Sequence, residues 1–289
     1  MNTKIHIDID RETCIKCGKC VRICPASIFV QETPQSEIAL QHIQTCIKCG
    51  HCMGVCPTSS VLHSVFPQDK VHPIRRDELP SPEQTMLLIK SRRSNRAFSK
   101  KPVPGEMLDQ ILEAAHRAPT ASNMQQVGFT LVTDQQMVQK VIDLTFDIFL
   151  GLAKKLQNPF VKPVMKLIIP EAYKYLKHVR HMKEKRDKGG DPILREATTL
   201  LLIHTPKDNR FGPADANLAY QNASLMAESL GVSQFYTGFL CVALKLDKKA
   251  RIPALLGISE TIHAGMGLGM PAFSFKNYID KKEIRVNRI

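Results

Sequence analysis

Thr13-Cys-Ile-Lys-Cys-Gly-Lys-Cys-Val-Arg-Ile-Cys-Pro25 recurs as Thr45-Cys-Ile-Lys-Cys-Gly-His-Cys-Met-Gly-Val-Cys-Pro57, an offset of 32 residues. Both copies read C-x2-C-x2-C-x3-C-P and together hold eight of the nine cysteines; Cys241 stands apart. Two copies are a duplication, too few to stack into a solenoid. Each half has room for a short strand, a ligand loop and a brief helix. Met1 to Asp10 is polar and acidic with no apolar h-region, so no signal peptide is expected. Clustered cysteines in such a chain predict metal ligands rather than disulfides, and a reducing cytoplasmic location.

This run ligates [4Fe–4S] clusters in bacterial ferredoxins. One loop presents three thiolates to three corners of a cubane, and the fourth cysteine is directed to the other cluster. The first cluster is therefore expected to take Cys14, Cys17, Cys20 and Cys56, and the second Cys46, Cys49, Cys52 and Cys24. Gly18 and Gly50 allow close backbone approach, and loop amides can hydrogen-bond the sulfurs and tune the potential. Pro25 and Pro57 end the loops sharply. A pair of zinc sites is the alternative, but zinc ribbons separate their cysteine pairs by longer gaps. Residues 1–66 resemble a two-cluster ferredoxin throughout. Clusters capped at every iron by cysteine pass single electrons and make no bonds, so the chemistry must be sought in the rest of the chain.

The chain has 289 residues, enough for two compact units, and its 43% apolar and 23% charged composition excludes disorder. Apolar runs such as Leu200 to Ile203 fall far short of the roughly 18 residues of a membrane span. The net charge of +13 is uneven. Residues 154–188 alone carry eleven Lys or Arg against three acids. A basic chain raises nucleic acid as a partner, but there is no Trp, no zinc-finger spacing and no RNA-binding signature. Neither nucleic acid nor a membrane is expected. The basic segment reads as a solvated face, or as one that steers an acidic donor or an anionic substrate.

Pro67, Pro73 and Pro80 among charged residues mark 67–81 as a semi-rigid linker. A second unit, 82–289, starts at Ser81-Pro82-Glu83, a capping residue followed by Pro at the first helical position. The pattern predicts helices near 82–92 and 104–117, a strand at 127–133, and a long helix from Asp134 to about residue 157. An exposed, mainly helical stretch at 160–190 follows. Next come a strand at 198–204, a helix at 214–230, a strand at 233–240, a helix near 247–256 and a strand at 262–268. Mixed helices and short strands indicate an α+β domain.

Within it, Ser91-Arg92-Arg93-Ser94-Asn95-Arg96-Ala97-Phe98 puts three guanidinium groups at a helix end, a pattern suited to clamping a phosphate. Ala118-Pro-Thr-Ala-Ser-Asn-Met-Gln125 stands between a helix and a strand. A helix from Asp215 through Gln221-Asn222 to Gly231 leads to Phe235-Tyr-Thr-Gly238, and Gly267-Leu-Gly-Met-Pro271 lies near the end. In this order and spacing residues 84–289 resemble the FMN-dependent nitroreductase family, with its RRSxRxF, PSxxNxQPW, DxxxAxQN and GYP patterns. The whole chain is similar to ferredoxin–nitroreductase fusions.

That resemblance implies a small two-cluster ferredoxin-like domain joined to an α+β domain whose mainly antiparallel sheet is flanked by helices. It implies FMN, held by Arg92, Ser94 and Arg96 with help from Arg93. Asn123 and Gln125 would face the ring or ribityl chain, and backbone N–H groups at Thr237 and Gly238 would lie near N5. Lys276 and Arg285 are further phosphate candidates. A homodimer is implied, as are a low-potential donor (ferredoxin, flavodoxin or NAD(P)H) and a small organic acceptor such as a nitroaromatic. No catalytic side chain is assigned. Gln126-Val127, Phe235-Tyr236 and Met270 depart from the family's Pro-Trp, Cys-Trp and Tyr, so substrate choice does not carry over. An enone, quinone or dehalogenating reductase stays open on the same scaffold, as does an electron carrier or redox sensor without organic substrate.

Three singletons have bland readings. Gly265-x-Gly-x-Gly269 lacks the spacing and following helix of a dinucleotide loop. Cys241 reads as a small buried hydrophobe. His178 and His181, one turn apart in a basic segment, read as solvated rather than metal-binding.

Overall fold

Duplication in the sequence becomes duplication in the backbone. In the computed structural model, which describes residues 5–160, 162–168 and 170–289, both halves bend at equivalent positions. Lys16 and Lys48 have φ of 54° and 55°, Gly18 and Gly50 of 68° and 71°, Ser27 and Ser59 of 49° and 54°. Each glycine sits immediately before a five-residue helix in a left-handed conformation that any Cβ would strain. The elements are β1 (Ile7–Ile9), α1 (Lys19–Ile23), β2 (Phe29–Val30), β3 (Ala39–Leu40), α2 (His51–Val55) and β4 (Val61–His63). Strands β1 and β4 pair antiparallel with Asp8 opposite Leu62, and β2 pairs with β3. Ile7, Ile9, Ile28, Phe29, Ile38 and Val61 form the core, closed by buried Cys20 and Cys52. Six apolar residues are a thin core, and domains of this size ordinarily depend on metal or disulfide staples.

Residues 67–80 are exposed apart from a partly covered Val71 and fold into two 3-10 turns, Gln68–Lys70 and Arg76–Glu78. By backbone proximity they group with the first unit, as do Ala121–Met124; the second unit comprises Ser81–Thr120 and Gln125–Ile289.

The second unit opens with α3 (Pro82–Ser91) and α4 (Gly105–His116), then β5 (Gly128–Val132) and α5 (Gln135–Gln157). A reciprocal cap starts α3: Ser81 Oγ accepts from the Gln84 N–H at 3.2 Å and Gln84 Oε1 accepts from the Ser81 N–H at 2.8 Å. Asp134 caps α5 by accepting from the Met137 N–H at 2.7 Å. There follow α6 (Lys162–Ile168), α7 (Pro170–Asp187), β6 (Thr199–Thr205), α8 (Gly212–Ser229), β7 (Ser233–Tyr236), α9 (Gly238–Leu246), α10 (Arg251–Leu255) and β8 (Thr261–Gly269). One expected strand is corrected here. The strand predicted over 233–240 stops at Tyr236, and Gly238 begins a helix.

All four strands are antiparallel, in the order β5-β6-β8-β7. β6 is central and apolar on both faces, and its alternation sorts two cores. Leu200 and Leu202 meet α5, α9 and α10 through Val138, Val141, Ile142, Leu240 and Ile252. Leu201 and Ile203 meet α4 and α8, where Ala216, Ala219, Ala223 and Ala227 keep the helix close. Together these are the α+β layers expected of the sequence.

The three glycines of β8 lie on one face, opposite Ala264, Met266 and Leu268. They supply space rather than unusual φ. A Cβ at Gly265 would meet Thr237 Oγ1 at 2.3 Å, at Gly267 the Phe235 ring at 2.6 Å, and at Gly269 the Phe98 ring at 2.6 Å. The stripe is thus a slot for three side chains from two other segments.

Helix α7 is less exposed than its basic composition predicts. Val179 and Met182, three residues apart, are buried against α5, and Arg186 pairs with Asp143 with its guanidinium 5.0 Å from the Phe146 ring centre. His181 lies 3.5 Å from Glu184, as a solvated surface pair would.

Candidate cluster sites and flavin site

The eight repeat cysteines divide between two cavities. One is lined by Cys14, Cys17, Cys20 and Cys56, together with Ile9, Ile38 and Val61. The other is lined by Cys24, Cys46, Cys49 and Cys52, together with Ile7, Ile28 and Phe29. Each therefore takes three thiols from one loop and the fourth from the other, the crossed arrangement expected from the spacing. Among the described residues no three His, Cys, Asp or Glu converge tightly enough to hold a single metal ion. Four thiols spread around a chamber suit a multi-iron cluster, whose corners stand apart, better than one zinc.

Electrostatics tells the same story. Burial pushes the Cys52 thiol up to about 11, and the nearby Cys49, Cys46 and Cys24 add repulsion against the Met53 N–H. Burial raises Cys20 too, with Cys14 of the same loop and Cys56 of the other copy contributing. At Cys56 burial is outweighed by donors: the Thr58 N–H and hydroxyl and the Ser60 N–H, the last at 3.3 Å from Sγ, pull the thiol down. Iron would relieve the repulsion and hold all four as thiolates.

In the second unit the arginine segment follows α3. Arg92 is its last cap, with its N–H on the Leu88 carbonyl at 3.2 Å. Ser94 bridges Gln234 of β7 in parallel, so the segment lies alongside the sheet. A buried polar lock fixes it there. Gln234, 1% exposed, donates from Nε2 to the Arg93 carbonyl at 3.2 Å and accepts from the Tyr220 hydroxyl at 2.7 Å. Asn95 donates to Ser233 Oγ at 2.8 Å and accepts from the Ala97 N–H at 3.0 Å. The arginine backbone is held, and the side chains project. Arg96 lies 5.6 Å from the Phe235 ring centre, and Arg92 and Arg96 lie close enough to Tyr220 to oppose the upward push of burial on its hydroxyl. Among the described residues none of Arg92, Arg93, Arg96 and Lys276 pairs with a carboxylate.

A cavity of about 210 Å³ gathers Ser91, Arg93, Asn95, Ser233 and Lys276, with Glu228 on its wall. Thr237 is buried, and its N–H is committed to the Gly265 carbonyl at 2.9 Å. Gly238, which starts α9, faces open space on the side where a Cβ would project. Its N–H and those of the first turn lack intrahelical partners, and no side chain caps them. Uncompensated guanidinium groups, a lysine and an open helix start fit an anionic, planar nucleotide such as FMN.

Other predicted contacts are not gathered there. Asn123 donates its amide to the Ile47 and Lys48 carbonyls at 3.1 and 2.8 Å. Gln125 is exposed with φ of 51°, its N–H on the Thr120 hydroxyl, and Arg285 lies in an exposed tail. Sequence reading overlooked Asn95, Tyr220 and Gln234. Two polar residues, Ser233 and Gln234, opening an apolar strand were the available signal. Cys241 stays a thiol: burial raises it, and the nearby Tyr236 and Thr237 hydroxyls offset only part of that push. Burial likewise keeps Tyr236 protonated.

Comparison with known proteins agrees with this division. A model of the nitroreductase family matches residues 89–270, and one of a 4Fe-4S dicluster domain matches residues 13–61. An Archaeoglobus fulgidus protein whose name offers NADH dehydrogenase or NAD(P)H nitroreductase is 37% identical over 59 residues, 20% of this chain and 34% of that one. The chain thus spans about a third of that relative's length. The NADH dehydrogenase of Thermus thermophilus is 29% identical over 180 residues, 60% of this chain and 85% of that one. The FMN-bound nitroreductase structure from Bacteroides fragilis superposes with a TM-score of 0.53 at 20% identity, covering 71% of this chain and 99% of that one. Among the described residues no helix is long and apolar enough to cross a membrane.

Proposed function

The chain belongs to the nitroreductase family and carries a 4Fe-4S dicluster domain ahead of it; on that premise we propose that it is an FMN-dependent oxidoreductase fed by two [4Fe–4S] clusters. When bound, the clusters pass single electrons and FMN collects two for a small organic acceptor such as a nitroaromatic. The division of labour is residues 1–66 for the clusters, 67–81 as linker and 82–289 for the flavin.

The protein's own part is binding and positioning. Cys14, Cys17, Cys20 and Cys56 hold one cluster; Cys46, Cys49, Cys52 and Cys24 hold the other. Arg92, Arg93, Ser94, Arg96 and Lys276 hold the flavin phosphate and polar edge, and the Gly238 N–H faces the reactive ring. Gln125 and Arg285 join in a homodimer, where a second chain completes the pocket. Tyr220, Tyr236 and Cys241 all stay protonated at neutral pH, so none of the three is a charged base or nucleophile. Redox chemistry therefore rests with the cofactors, supplied by a ferredoxin, flavodoxin or NAD(P)H. The observation that carries the reading is the crossed lining of the two cysteine cavities.

Anaerobic purification followed by iron, acid-labile sulfide and flavin analysis tests it. About eight irons and one FMN per chain are expected. Iron without flavin after FMN reconstitution would break the flavoenzyme reading. Turnover of nitroaromatics beside enones, quinones and halophenols then identifies the acceptor.

A further inference from the structure

Residues 154–168 carry four lysines and no acid. Lys154 and Lys155 end α5, Lys162 and Lys166 lie in α6, and all four are exposed. Between and beside them stand three large apolar side chains in open solvent: Phe160 at 90% exposure, Leu167 at 85% and Ile168 at 66%. The tip that bears them is built, not frayed. The Asn158 side chain accepts from the Phe160 N–H at 2.9 Å, and the Asn158 carbonyl accepts from the Lys162 N–H at 2.9 Å. The Tyr173 hydroxyl, from α7, lies 2.9 Å from the Leu156 carbonyl and 3.2 Å from the Lys162 carbonyl, tying both helices together.

We propose that this α5–α6 tip docks on an anionic lipid surface, with Phe160, Leu167 and Ile168 entering the headgroup–acyl boundary and the four lysines lying among the phosphates. Lysines alone would suit an acidic protein equally. Large apolar side chains held out on the same acid-free tip need a solvent-free environment that charge pairing does not supply. Amphipathic interfacial segments combine the two in this way. The rest of the basic segment deepens the attraction, since residues 154–188 sum to +8.

The chain has no tryptophan, so Phe160→Trp places a single reporter at the tip. The full-length, cofactor-loaded protein is mixed with vesicles of phosphatidylcholine alone or with about one-third phosphatidylglycerol. Sedimentation and a blue shift of the reporter are expected with the anionic vesicles only, both reversed by salt. Lys162→Gln with Lys166→Gln should weaken partitioning about fivefold per lysine. Phe160→Ser with Leu167→Ser should weaken it about tenfold or more while leaving the salt dependence unchanged. An unchanged melting temperature and cofactor content shows that these variants fold. Three results would overturn the proposal: no sedimentation with anionic vesicles; loss of reduction by an acidic electron carrier in the lysine variants without any vesicle binding in the parent; or a change from dimer to monomer in the serine variant, which would make the tip a contact between copies.

Discussion

Removing one amide should separate the flavin site from the stability of its scaffold. Gln234 accepts from Tyr220 and donates to the Arg93 carbonyl, at 2.7 and 3.2 Å, and is 1% exposed. Tyr220→Phe strips the donor from Gln234 Oε1, and an unpaired buried polar group costs about 1–3 kcal/mol. For a unit of this size that is a fall in melting temperature of roughly 2–4 °C per kcal/mol, so about 6 °C at the middle of the range. Arg93 keeps its bond, and FMN affinity should stay within about twofold. Gln234→Leu orphans both the Tyr220 hydroxyl and the Arg93 carbonyl. It should melt lower still and bind FMN about tenfold more weakly, since one orienting hydrogen bond of about 1.4 kcal/mol is a factor of ten. Thermal unfolding by circular dichroism and quenching of flavin fluorescence on titration give the two readouts. If Gln234→Leu melts low yet binds FMN like the parent, the lock is merely structural and the placement of the phosphate site on the arginine segment is wrong.

Three further outcomes are expected. Gly267→Ala drives a Cβ to 2.6 Å from the Phe235 ring and 3.3 Å from Ala197 Cβ, an overpacking worth about 1–3 kcal/mol; Phe235→Leu added to it should restore part of the loss in a thermal melt. Cys56→Ala should halve the iron and abolish the cluster of Cys14, Cys17 and Cys20 while the signal of the other remains in electron paramagnetic resonance; loss of the second set instead would refute the crossing. Burial, then the neighbouring His204 and Lys245, holds His263 below its ordinary 6.5. The unfolded chain takes that proton first, so this contribution is intact above about pH 6.5 and lost as the pH falls below it. His263→Gln should flatten stability against pH in that window.

Much of the molecule was legible because its signals are local. The cysteine spacing, the Ser81 and Asp134 caps, and the apolar stretch of β6 depend on near neighbours in sequence. What escaped was decided by distant contacts. Apart from Thr237-Gly238, the run Phe235 to Leu240 suits strand or helix equally; the Thr237 N–H still bonds the Gly265 carbonyl in register with β8, and it is the Thr237 carbonyl, accepting from the Cys241 N–H at 3.0 Å, that turns the chain into α9. Val179 and Met182 are two apolar residues in a basic helix, and α5 rather than composition buries them. The glycine spacing of β8 excluded a dinucleotide loop, but its purpose depends on Phe98 and Phe235, remote in sequence. Tyr220, Gln234 and Arg93 likewise meet from three separate elements.

The crossed cysteines also impose a schedule on biosynthesis. Cys14, Cys17 and Cys20 leave the ribosome together, yet the cavity they line is closed by Cys56, 36 residues later. The second set is completed by a residue already made, Cys24, so it closes as soon as Cys52 can reach back. Neither half can be finished alone, and a nascent chain paused between residues 24 and 46 would display four uncommitted thiols. On the proposed ligand assignment, iron–sulfur delivery would have to wait for the whole repeat, and any delay there would expose the first four cysteines to oxidation.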